Sequence, residues 1–215
     1  MSSFRQLMMR NKGDIPSSYK VLDYIETTIQ GYEQGEPYIG QGVYIDTGFM
    51  PTSATKIVTK IEVSTTYQNN PVFGLYSPNI VFHLTPFSYK WYTGLAVNTE
   101  RSGGSYSNTV GTVYDITFND NGSIIVNNTT ILSGLTYTIP SANLCIARRG
   151  SASGRWSSMF GWFKYYLFQI YDNGILVRDF VPVRRKSDSV LGMYDKVNGV
   201  FYTNAGTGNF VGSDE

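Results

Sequence analysis

The residues that usually carry enzyme chemistry are sparse in this sequence. One cysteine, Cys145, and one histidine, His83, leave no basis for an intramolecular disulfide framework, a multi-cysteine zinc site or a histidine-rich metal centre, and argue against a Ser-His-Asp triad. His83 lies in the apolar run Val81-Phe82-His83-Leu84 and reads as a half-buried histidine bonded to backbone. Cys145, between Leu144 and Ile146, reads as a small core hydrophobe. Glycoside hydrolysis needs two carboxyl groups on one face, about 5 to 9.5 Å apart. Acids alternating along one strand would supply them, yet Glu62 stands alone in Ile-Glu-Val and Asp115 has no carboxylate two residues away. Asp46, in Tyr44-Ile45-Asp46-Thr47-Gly48, reads as an Asx turn closing a strand, with no further oxygen ligands at calcium-binding spacing. The expectation is a protein without catalytic residues, metal or cofactor.

Binding chemistry is better represented. The segment 98–109 offers Arg101 and Tyr106 on a Gly/Ser frame, and 149–158 offers Arg149, Arg155 and Trp156. Aromatic faces beside fork-shaped donors suit a pyranose, which presents both apolar and hydroxyl surfaces. The same residues on Gly/Ser loops also serve as ordinary surface or subunit contacts. Seventeen basic against sixteen acidic side chains give a formal net charge of +1, so no global field recruits nucleic acid or an anionic membrane. Asn127-Asn128-Thr129 and Asn128-Thr129-Thr130 fit the glycosylation sequon, but with no secretory signal in view they read as a polar turn.

What must position these residues is a set of short strands. Between Thr55 and Val63, Ile57, Thr59, Ile61 and Val63 share one face, while Lys56, Lys60 and Glu62 share the other with Val58. Tyr89 to Val97 and Val110 to Phe118 repeat the period of two, which marks antiparallel strands with one wet face. Asn-Asp-Asn-Gly at 119–122, Asn127-Asn128, Asp172-Asn173-Gly174 and Asn198-Gly199 supply reversals, the last two read as tight hairpins with two positive φ angles. The aromatic run 159–171 reads as one central strand. Ten or more strands without intervening helices predict an all-β, antiparallel two-sheet jelly-roll sandwich. No stretch approaches the roughly 18 apolar residues of a spanning helix. The first residues differ: Phe4, Leu7 and Met8 fall on one helical face beside Arg5 and Arg10. They read as an attachment segment, 1–18, ahead of a sandwich domain, 19–215, in a chain made in the cytoplasm.

The C-terminal third carries a recognisable pattern: Tyr171-Asp172-Asn173-Gly174, then Arg178-Asp179-Phe180-Val181-Pro182, Gly192-Met193-Tyr194-Asp195, and Val200-Phe201-Tyr202-Thr203-Asn204-Ala205-Gly206. It resembles the closing signature of the laminin G-like, concanavalin A-like jelly rolls of bacteriophage and prophage structural proteins. Tyr24-Ile25-Glu26 and Val43 to Phe49 resemble that family's opening strands, so the likeness spans about 19–212 and is interrupted by an insertion at 31–42. The resemblance implies that the opening Tyr-Ile-Asp-Thr-Gly strand pairs with the closing strands. It also makes the closing motif architectural: Asp179 satisfies turn amides, Phe180 plugs the core, and Pro182 ends pairing or sits on an edge. It further implies a non-enzymatic virion component: a head fibre, a capsid decoration or a tail component, of which the short chain suits the first two better than a tail fibre. Such a chain would partner other virion proteins, assemble as a homo-oligomer with a trimer favoured, and contact host surface glycans without inserting into membrane.

Overall fold

The computed structural model describes residues 15–29, 42–65, 70–75, 83–87, 90–96, 99–135, 141–150 and 158–214. The first strands are β1 (Tyr19–Val21), β2 (Ile25–Glu26), β3 (Ile45–Asp46), β4 (Thr55–Val63), β5 (Phe73–Leu75), β6 (His83–Phe87), β7 (Lys90–Ala96) and β8 (Thr99–Ser107). They continue as β9 (Val113–Phe118), β10 (Ile124–Val126), β11 (Thr129–Leu132), β12 (Leu144–Ile146), β13 (Arg148–Gly150) and β14 (Ser158–Phe160). The closing strands are β15 (Phe163–Asp172), β16 (Ile175–Arg185), β17 (Leu191–Asp195), β18 (Val200–Tyr202) and β19 (Val211–Gly212). No helix occurs among the described residues.

The larger sheet runs β11-β10-β9-β4-β15-β16-β17-β18, with β1 on β16 and the pair β2-β19 on β15. The smaller runs β3-β12-β5-β6-β7-β8, and β13-β14 form a separate ribbon. All pairings are antiparallel, and the molecule is the expected jelly-roll sandwich. The two faces meet in one core, where Phe73 of the smaller sheet packs edge-on against Phe118 and Phe168 of the larger, at 5.9 and 6.2 Å between ring centres. Tyr165 is wholly buried and its hydroxyl donates to the Val72 carbonyl across the core at 2.6 Å, while burial holds its ionisation well above the ordinary range.

Alternation on β4 is realised without exception, each odd residue from Thr55 to Val63 buried and each even one half-exposed. The hairpins follow the turn residues: Asn127 and Asn128 have φ of 47° and 65°, Asn173 and Gly174 of 49° and 75°. The Asn198-Gly199 reversal differs. Only Gly199 has positive φ, because the loop spans residues 196–199, closed by Gly199 N–H onto the Asp195 carbonyl. Strand β9 likewise begins at Val113, later than the alternation from Val110 suggests, since Gly111 turns at φ 76°.

The aromatic run 159–171 is two strands rather than one. At Gly161-Trp162 the chain leaves the β13-β14 ribbon for the larger sheet, and a Cβ on Gly161 would lie 2.2 Å from the Pro71 carbonyl oxygen. Segment 99–107, read as part of a binding loop, is strand β8: pairing with β7 overrides its Gly/Ser composition, at the cost of two register shifts. The opening strand does not pair with the closing strands as expected. Ile45 and Asp46 pair with β12, and the backbone bonds to the closing chain fall just before them, with Ala205 N–H donating to Tyr44 O and Thr207 N–H to Gly42 O. It is β2 that pairs with a terminal strand, β19.

Phe180 is fully buried as expected. Pro182 sits where one flank of β16 passes from β15 to β1, so its missing N–H falls at the change of partner, and its carbonyl accepts from Leu22 N–H. The turn amides go to Asp195 instead of Asp179: Asp195 Oδ1 accepts from Asp179 N–H and Val197 N–H, at 2.9 and 3.1 Å. Asp179 pairs with Lys196, both side chains under 10% exposed, and accepts from Gln169. Register sets Asp179 opposite Gln169 and Asp195 opposite Phe180, one residue along, so the two carboxylates leave the sheet on opposite faces.

Removing one member of a buried ion pair strands the other. Lys196→Met should therefore lower unfolding free energy by about 3–5 kcal/mol in urea titrations; a loss below about 1 kcal/mol would contradict a structural role. Arg184 and Lys20 both donate to Asp214 and hold its carboxyl down from 3.8 to about 2. That contribution is present above the ordinary value and lost as pH falls from about 4 towards 2. Acid unfolding of Asp214→Asn should accordingly be less steep than wild type over that interval, and equal slopes would refute the clamp.

Candidate functional site

Half-exposed side chains with chemical capacity gather on the outer face of the larger sheet, where β2, β15 and β4 lie side by side. The register Val211, Glu26, Lys164, Glu62, Val113 forms one row across five strands. Both end valines are 37% exposed. Alternation places Tyr24 and Tyr166 one row along, and Trp162 and Ser64 one row the other way. Tyr166 occupies a bulge, which explains why Tyr166 and Leu167 are both half-buried while Phe163, Tyr165, Phe168 and Ile170 stay in the core.

Glu62 Oε1 receives the Lys164 ammonium at 2.8 Å, and its Oε2 receives the Tyr166 hydroxyl at 3.0 Å. Lys164 Nζ also lies 5.1 Å from the centre of the Tyr24 ring, which meets Tyr166 edge-on at 5.7 Å. Glu26 Oε1 accepts from Ser64 Oγ at 2.8 Å and from the Trp162 indole at 2.9 Å. The hydrogen bond from Lys164 to Glu62 raises the lysine's ionisation, and partial burial followed by Glu62 raises that of Tyr166. The patch therefore combines three aromatic rings, two carboxylates on strands flanking β15, and one ammonium between them.

Elsewhere, a concavity of about 570 Å³ is lined by Arg184, Asp188, Thr203, Asn204, Asn209 and Phe210. Several of its polar groups are committed to the fold. Arg184 serves Asp214 and the Ser189 carbonyl, and the Asn204 amide serves Tyr44 N–H, Gly206 N–H and the Gly208 carbonyl. Cys145 is 4% exposed with its thiol pushed up to about 12 chiefly by burial, so it is a core residue. Asp46 forms the Asx turn, its Oδ1 accepting from Gly48 N–H at 2.9 Å. No metal-ligating cluster occurs among the described residues.

The loop residues picked out by sequence fall elsewhere. Arg101 lies opposite Thr93 within β8, which also contains Tyr106, and Arg149 lies opposite Met159 in the β13-β14 ribbon. The side chains of these three, all of Arg155 and Trp156, and Phe4, Arg5, Leu7, Met8 and Arg10 lie outside the described residues. The chain is described from Ile15, which packs with Tyr19 and Phe201 on Val181, Val183 and Tyr194. The outer-face patch escaped the sequence reading because its halves are far apart. Period two places Glu62 and Ser64 on one wet face and Trp162, Lys164 and Tyr166 on another, but only the β2-β15-β4 order brings them together.

Strand order and register define a two-sheet jelly-roll sandwich carrying an aromatic-acidic outer face. No family model and no curated protein sequence matches the chain. Among solved structures it is similar to domain 4 of AbnA, a GH43 extracellular arabinanase from Geobacillus stearothermophilus, in complex with arabinotriose. That match has 16% identity over 69% of this chain and 81% of that one, with a TM-score of 0.45. It is also similar to the native heptameric SAP-like pentraxin from Limulus polyphemus, at 12% identity over 90% and 93% of the two chains, with a TM-score of 0.46.

Replacing Glu62 by Gln removes the charge that favours protonation of both Lys164 and Tyr166. In NMR titrations of Glu62→Gln the Lys164 midpoint should fall relative to wild type. An unmoved midpoint would mean that the pair is not formed in solution.

Proposed function

We propose that this chain is a non-enzymatic bacteriophage virion structural protein, a head fibre or capsid decoration, whose jelly roll holds host surface glycans on its outer sheet face. The observation that carries the glycan reading is the grouping of Trp162, Tyr24 and Tyr166 around Glu26, Glu62 and Lys164. Ring faces meet the apolar side of a sugar, while carboxylates and an ammonium meet its hydroxyls. Lys164 lies between the two carboxylates, in the space a scissile bond would need, which favours binding over hydrolysis. The virion reading rests on the resemblance of residues 171–206 to phage jelly rolls. Attachment would use Phe4, Arg5, Leu7, Met8 and Arg10, with a homotrimer as the favoured assembly.

The alternative, a carbohydrate-binding module acting free of any particle, draws on the same outer face, so placement on the particle separates the two readings. Purified virions should contain the chain, and deletion of residues 1–14 should remove it from them. Virions carrying Tyr24→Ala should incorporate it normally yet bind immobilised host polysaccharide about two- to tenfold more weakly, the size of losing one aromatic contact. Virions without the chain would refute the placement, and unchanged adsorption would refute adhesion through this face.

A further inference from the structure

We infer that the outer face selects pyranose sugars lacking acidic groups, with Glu26 as the specificity-determining acceptor; the inference rests on the glycan reading above. Its first support is hydrogen-bond capacity. Ser64 and Trp162 both donate to Glu26 Oε1, and among the described residues Oε2 has no hydrogen-bond partner. A carboxylate oxygen only accepts, so whatever meets it must donate, as a sugar hydroxyl does. Among the described residues the Tyr24 hydroxyl is likewise without a hydrogen-bond partner, and the Lys164 ammonium directs one of its three N–H groups to Glu62. One acceptor and two donor groups thus stand open among the rings.

The second support is charge. Glu26 on β2 and Glu62 on β4 flank Lys164 on β15, so two carboxylates face one ammonium. A uronate or sialate carboxylate, or a phosphate, would enter a negative field and set acceptor against acceptor at Glu26 Oε2. A sugar carrying hydroxyls alone meets no such repulsion, and its donors supply what Oε2 lacks.

The third is spacing. Side chains two residues apart on one strand stand about 7 Å apart, and β2 and β4, separated by β15, about 10 Å. The ring of Tyr24, the Trp162 indole and Glu26 therefore bound an area suited to one sugar ring with a neighbour, with Lys164 and Glu62 at the far side.

The experiment is a binding titration of the full chain against two neutral polymers, mannan and soluble β-glucan, and two acidic ones, polygalacturonate and polysialate. At least one neutral polymer should bind tenfold or more tightly than either acidic one. Tyr24→Phe, which removes only the open hydroxyl, should weaken that binding severalfold. Glu26→Gln should weaken it about tenfold and narrow the discrimination, because a Gln whose carbonyl keeps the indole and Ser64 bonds turns an amide donor towards the ligand. Melting temperatures of both variants should match wild type, so that a weaker titration reports the site. Tighter binding of an acidic polymer, or neutral binding that Glu26→Gln leaves untouched, overturns the inference while the glycan reading stands. Absence of binding to all four polymers and to host polysaccharide overturns both.

Discussion

Strand β15 bonds to β4 along its whole length on one flank, and on the other gives its hydrogen bonds first to β2 and then to β16. The larger sheet forks there. Phe163, Tyr165, Phe168 and Ile170 point into the core, and Tyr165 reaches across to the backbone of the smaller sheet. With those side chains fixed inward, Trp162, Lys164 and Tyr166 must face outward, and the fork sets Glu26 and Glu62 on either side of them. The outer-face patch is thus a consequence of how the core is filled.

The fork also makes local demands. Pro182 marks the junction on β16 at which the β15 flank gives way to β1. Asp195 gathers the amides of the adjoining turn, and the Lys196–Asp179 pair closes the neighbouring space. The C-terminal Asp214 ties β1 to β16 through Lys20 and Arg184. The residues most conspicuous in the closing third are therefore consumed in holding the branches of the sheet together.

Those assignments separate what a linear pattern conveys from what it does not. Alternation on β4 and the Asn-Gly turn at 173–174 are local, set by side-chain period and by backbone sterics, and both were legible. The all-β sandwich followed from them. The break at Gly161 was not legible, because it is imposed by the Pro71 carbonyl some ninety residues earlier in the chain. Strand β8 was hidden by a Gly/Ser composition that its partner β7 overrides. Asp179 and Asp195 look alike in sequence, and only the β16–β17 register decides which of them serves the turn. Glu62 read as a lone acid for the same reason: its partners lie on strands whose adjacency is a property of topology.

The central claim is that a sugar lies across β2, β15 and β4. A structure of the protein bound to a neutral oligosaccharide, or intermolecular NOEs in solution, tests it most directly. Contacts from the sugar to the Trp162 indole, the Tyr24 ring and Glu26 are the predicted result. A sugar held solely by segments 98–109 and 149–158, with the outer face bare, would contradict it.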